Sequence, residues 1–174
     1  MTQIENSDEV ARSLYDPKDG SITADIINLI PLIEKNLQFE HNEEDDARTE
    51  SVNCLRLLEP NPIDNCHTLG IRKLEKNVRD AQASGFECKI KSYIGFKKGN
   101  VGQIRSEAQC EAISFEVIHK PIAANENEEE NSAHCNIVLT GYVQGQPKKH
   151  RQVAIKLLSE ILDKDFTKYS QSNN

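Results

Sequence analysis

Residues 86–97 read Phe-Glu-Cys-Lys-Ile-Lys-Ser-Tyr-Ile-Gly-Phe-Lys. Phe86, Cys88, Ile90, Ser92, Ile94 and Phe96 occupy one side of a two-residue period, and Glu87, Lys89, Lys91, Tyr93 and Lys97 occupy the other. Successive side chains on a strand point to opposite faces, so the alternation predicts a half-buried antiparallel strand. Downstream, Lys98-Gly-Asn-Val-Gly102 reads as a turn, and Ile113, Phe115 and Val117 alternate with polar neighbours in a second strand that Pro121 ends. A third strand is predicted from about His134 to Val143, with Cys135, Ile137 and Leu139 inward. The polar stretch from Ala124 to Ser132 between them, with Glu126, Glu128, Glu129 and Glu130, reads as a mobile loop.

Helical spacing flanks these strands. Ile71, Leu74, Val78 and Ala81 recur at three- and four-residue intervals, and Gly85 fits the left-handed residue that commonly ends a helix. The turn-rich 60–65 segment precedes them. Before it, Val52, Cys54, Leu55, Leu57 and Leu58 fit either a strand or a helical turn. After Gly145 and Pro147, the residues Val153, Ala154, Leu157, Leu158, Ile161 and Leu162 form a wide helical stripe. Strands joined by loops too short for a crossover helix pair antiparallel. The expected fold is therefore α+β and two-layer: an antiparallel sheet of three or four strands, packed with two or three helices.

Charge sets the expected organisation. The chain has 174 residues with a net charge of −7, and its first fifty residues hold four basic side chains against thirteen acidic ones, a net −9. Residues 1–20 and the run Glu40-His-Asn-Glu-Glu-Asp-Asp46 lack apolar periodicity and read as solvated tail and linker. Between them Ile22, Ile26, Ile27, Ile30 and Ile33 suggest a short helix, with Pro31 as a kink or stop. The division expected is an acidic, partly disordered extension over 1–50, one α+β domain over 51–168, and a disordered tail over 169–174. The longest apolar stretch falls far short of the roughly 20 residues a bilayer span needs, and the first residues carry acid where a secretory leader needs base. A cytoplasmic location follows as an expectation.

No motif for chemistry is complete. The five cysteines, Cys54, Cys66, Cys88, Cys110 and Cys135, contain no pair at zinc-knuckle spacing. Cys54, Cys88 and Cys135 lie on apolar faces, where a free thiol acts as a small hydrophobe. A metal reading would have to combine Cys66 and His67 with His134 and Cys135. A reactive thiol needs a partly exposed, electropositive setting, which fits Cys66 and Cys110 best. The glycine pairs at 99–102 and 141–145 lack the lysine and hydroxyl of a phosphate loop. No metal or cofactor is expected.

Two groups of residues remain as binding candidates. Five basic residues and one acid fall between residues 86 and 106, and Lys89, Lys91, Tyr93, Lys97, Lys98 and Arg105 are the set that could hold single-stranded nucleic acid through phosphates and one stacked ring. The alternative for the same lysines is a solvated face, or an edge strand guarded against aggregation. His119 and His134 bracket the acidic loop, as surface or capping residues or as a site at the loop mouth where the two imidazoles approach each other.

The runs Phe115-Glu-Val-Ile-His-Lys-Pro-Ile122 and Asn131-Ser-Ala-His-Cys-Asn-Ile137, about 25 residues with the insert between them, resemble the C-terminal segment of an uncharacterised family of small bacterial proteins. In that family a strand ending in an aliphatic-Pro pair precedes Asn-Pro-Ala-His; here Ser132 replaces the Pro and the insert is longer. The resemblance implies a bacterial source and a small accessory role, and brings no reaction with it. The expected function is thus a cytoplasmic accessory or binding module without catalysis, recognising a protein partner through a sheet edge or an acidic segment, with self-association open. Nucleic-acid binding is the alternative. A cysteine- or metal-dependent enzyme built on His134 with His119 or Cys66 is the third reading.

Overall fold

The computed structural model describes residues 3–16, 40–41, 50–90, 92–107, 113–140, 147–162 and 166–170. Its elements run β1 (Glu9–Asp16), β2 (Glu40–His41), β3 (Glu50–Arg56), α1 (Pro62–Ala83), β4 (Ser92–Asn100), α2 (Val101–Glu107), β5 (Ser114–His119), β6 (His134–Thr140), α3 (Pro147–Ile161) and β7 (Phe166–Lys168). Six strands form one path in the order β5-β6-β3-β1-β4-β7, and the two-residue β2 adds to β3. Every pairing among the described residues is antiparallel.

This sheet overturns the expectation of three or four strands in two layers, although the broad α+β character stands. Neighbouring residues on one strand feed different cores. Val10 and Cys54 join Val101 and Ile104 of α2 and Ala154, Leu158 and Ile161 of α3. Ala11 and Leu55 instead join Phe96, Ala133 and Cys66 of α1. Because adjacent strand residues point to opposite faces, helices cover the sheet on both sides. Strands covered on both faces read as continuous apolar runs, which is why Val52 to Leu58 gave no clear period.

The largest surprise is β1. Residues 9–16 sit where a solvated acidic tail is expected, yet they form a central strand that pairs with β4 along its whole length. Val10, Ala11 and Leu14 have no exposed surface. β1 pairs with β3 only at Val10 and Ala11 and then parts from it. Arg12 Nη1 donates to the Asn53 carbonyl at 2.6 Å across the gap, and β2 takes the pairing places at Glu50 and Ser51. The expected helix between Ile22 and Ile33 lies outside the described residues.

In β4 the quoted alternation breaks in two ways. The strand starts at Ser92 rather than Phe86, and Phe86 is 73% exposed just beyond the C-terminus of α1. Leu14 pairs with Gly95 and Tyr15 with Tyr93, so Ile94 is an extra residue and the side-chain phase shifts there. Ile94 consequently packs with the α2/α3 core while Tyr93 and Phe96 share the α1 face. Gly95 has φ 139°, and a Cβ there would overlap the Thr167 carbonyl of β7, so the bulge and the close strand approach both need glycine. The strand continues through the expected 98–102 turn to Asn100 and passes directly into α2.

α1 is longer than the spacing over 71–81 suggests, because Pro62 occupies the first turn, where a missing N–H is harmless. Asn65 Nδ2 donates to the carbonyls of Leu58 and Pro60 and fixes the entry to the helix. Gly85 ends the region at φ 74°, as expected. Tyr15 donates from its hydroxyl to the Gly70 carbonyl at 3.0 Å, and Tyr93 packs against Gly70 itself. Tyr169, expected to belong to a disordered tail, donates its backbone N–H to the Ile94 carbonyl and packs its ring on His67 and Tyr93. No helix among the described residues is long and apolar enough to cross a membrane.

Candidate functional site

β5 and β6 are neighbours joined by the connection 120–133, and the register between them decides what the loop histidines do. His119 pairs with Cys135 and therefore shares its face of the sheet. His134, one residue earlier, points to the other face and stands opposite Leu55 of β3. The two imidazoles do not converge at the loop mouth, which removes His119 as the partner of His134 in the third reading. They clasp its neck from both sides. His119 Nε2–H donates to the Ser132 carbonyl at 2.8 Å, and His134 Nδ1–H donates to the Lys120 carbonyl at 2.6 Å. The Lys120 N–H returns a bond to the His134 carbonyl at 3.0 Å.

Above the neck the loop carries hydrogen bonds of its own. Ile122 and Asn131 exchange backbone bonds at 3.0 and 2.9 Å, Asn125 N–H donates to the Glu128 carbonyl, and Asn127 N–H to Asn125 Oδ1. Arg72 of α1 reaches across to Glu129 at 2.9 Å. Glu128 also lies close enough to act electrostatically on Lys76, whose pKa is raised chiefly by its hydrogen bond to Asp80, and on His134. The acidic tip is thus held against the basic flank of α1 while Glu126 and Glu130 remain exposed. Burial holds His134 below its ordinary pKa, opposed by its bond to the Lys120 carbonyl. The ring is therefore neutral at pH 7, with Nδ1 as its proton-bearing nitrogen.

The basic stripe comes apart. Tyr93 is buried under α1, and Lys97 is 7% exposed on the opposite face because of the bulge at Ile94 and Gly95. Lys98 pairs with Glu9 at 3.3 Å. Arg105 donates to Glu116, to Asn6 Oδ1 and to the carbonyls of Ile4 and Val117. Lys89 is exposed after α1, and Lys91 lies outside the described residues. Lys97 and Tyr93 therefore cannot contact one strand of nucleic acid together.

The sheet separates Cys66 from Cys54 and Cys135. Cys66 lies in the α1 core and Cys135 in the α2/α3 core, which divides the four residues of the metal reading between two faces. Among the described residues, no group of three or more His, Cys, Asp and Glu could hold a metal ion. Cys66 corrects its expected reactivity: it is 1% exposed, and burial pushes its thiol up to about 12. Cys110 lies outside the described residues. Cys54 stands opposite Cys135, and burial raises its pKa strongly.

Sequence reasoning missed the cluster beneath α1. His67 Nδ1 and the Tyr93 hydroxyl share a hydrogen at 3.0 Å, and the rings of Tyr15, Tyr93, Phe96, His67 and Tyr169 form a chain of contacts with centroids 5.2–5.8 Å apart. Burial lowers the His67 pKa and raises those of Tyr15 and Tyr93, so all three are neutral at pH 7. Tilted ring pairs with satisfied polar ends are what a buried aromatic core requires. Its sequence signal is the Gly70 and Cys66 spacing at four residues, which puts two small residues on one helix face.

No family model, curated protein or solved structure matches the chain.

Proposed function

We propose that the chain is a binding module whose contact with a basic protein surface is made by the braced acidic loop. The observation that supports this reading is the neck: two antiparallel neighbours can be joined by two residues, yet β5 and β6 are joined by residues 120–133 and tied by two histidine-to-backbone bonds. Long connections in compact domains are usually functional, and recognition loops are commonly presented by a rigid scaffold. Ordering the tip in advance removes part of the entropy cost of binding. Exposed Glu126 and Glu130, with Glu128 beside them, give the contact its charge. Electrostatic complementarity then contributes mainly partner choice and association rate.

The test is paired affinity capture from the source cell at moderate salt, using the wild-type chain and Glu126→Lys/Glu128→Lys/Glu130→Lys. A stoichiometric protein recovered by the first and lost by the second agrees with the reading. Equal recovery by both contradicts it.

A further inference from the structure

The β5 edge of the sheet is closed by side chains. Arg105 of α2 donates from Nε to Glu116 Oε1 at 2.5 Å and from Nη2 to the Val117 carbonyl at 3.1 Å. Glu116 Oε1 also accepts from the Val117 N–H at 2.9 Å. In an antiparallel ladder, residues alternate between bonding inward and presenting their backbone groups outward. Lys120 N–H bonds inward to His134, which makes Val117 and His119 outward residues. Both backbone groups of Val117 are therefore taken by an ion pair at the position where another strand would dock. Beside that pair Ile118 is 46% exposed, one of four large apolar side chains exposed among the described residues.

The edge sequence complements itself. Around Ile118, the run Glu116-Val-Ile-His-Lys120 set antiparallel to a second copy places Ile118 against Ile118 and Glu116 opposite Lys120. The same register puts Val117 opposite His119, both with outward N–H and C=O groups. Opposite charges and apolar residues directly across a strand pair are stabilising arrangements. We propose that β5 is a docking strand for β5 of a second copy of this chain, held closed in the single chain by Arg105 and Glu116. On pairing, Glu116 exchanges Arg105 and the Val117 N–H for Lys120 of the second copy, and Ile118 leaves water. The closure answers the hazard that any open sheet edge presents.

Charge exchange separates the closure from the pairing. Glu116→Lys sets a cation against Arg105 and opens the edge, but opposes Lys120 of the second copy. Glu116→Lys/Lys120→Glu opens the edge and keeps an opposite pair. Sedimentation equilibrium is expected to give a dimer at least about tenfold tighter for the double variant than for Glu116→Lys or the wild type. A folded double variant that dimerises no more tightly than either overturns the proposal. The wild-type chain provides an arm without substitutions: exchange of the His119 amide should slow as protein concentration rises, and exchange independent of concentration overturns the proposal equally.

Discussion

His134 and Lys120 are tied twice across the neck of the acidic loop, by the imidazole Nδ1–H to the Lys120 carbonyl at 2.6 Å and by the Lys120 N–H to the His134 carbonyl at 3.0 Å. The second bond continues the β5–β6 ladder. The first is supplied by a side chain and closes the loop. His134→Ala should cost about 1–2 kcal/mol, the usual range for losing a hydrogen bond that leaves a part-buried carbonyl unpaired. Urea unfolding checks the stability, and faster amide exchange at Ile122 and Asn131, with α3 unchanged, locates the effect.

Two neutral imidazoles also set the response to acid. His67 and His134 both have pKa values lowered by burial, so between the folded and the ordinary value of 6.5 the unfolded chain binds more protons than the folded one. Stability contributed by these groups is complete above 6.5 and is lost as pH falls below it. Thermal unfolding followed from pH 7.5 downward should show a falling midpoint below about 6.5. The fall should be shallower in His134→Gln, which cannot titrate there. An equal slope in that variant would assign the sensitivity elsewhere.

Gly70 lies in the middle of α1, where alanine normally stabilises a helix by up to about 1 kcal/mol. Here a Cβ would overlap the buried Tyr93 ring, and that ring is held by His67, Tyr15 and Tyr169. Gly70→Ala should therefore destabilise the protein, by about 1–3 kcal/mol as for other overpacked cores. A stabilised variant would show that the ring cluster yields easily.

Thiol reactivity should rank by burial. Cys88 is partly exposed, whereas Cys54, Cys66 and Cys135 are buried. Mild alkylation of the folded protein, read by peptide mass, should modify Cys88 well before these three. Cys54 and Cys135 should also stay reduced under mild oxidation. Arg56 N–H bonds to the Ala133 carbonyl, so two residues along the ladder Cys54 and Cys135 are again a hydrogen-bonded pair. Such pairs hold their Cβ atoms near 5.5 Å, beyond the roughly 3.5–4.5 Å of a disulfide.

What the sequence revealed depended on whether one face or two were buried. β5 and β6 fall close to their predicted places, and Cys135, Ile137 and Leu139 do face one core, because their alternation is undisturbed. β1 was hidden: Arg12 and Ser13 interrupt its apolar residues, Val10 and Ala11 serve opposite cores, and the acid around it resembles a tail. In β4 a single extra residue at Ile94 reverses the phase, so an unbroken pattern in sequence becomes a broken one in space. The candidate loop was legible as a polar insert flanked by two histidines. Its clasp was not, because which carbonyl each ring meets depends on the β5–β6 register.

The recognition role of the loop is tested most directly by hydrogen exchange on the complex with whichever protein the wild-type chain captures. Protection concentrated at residues 122–131, with Arg72 and its neighbours on α1 following, is the predicted footprint. A footprint that leaves these residues exchanging at their free rate would contradict the account.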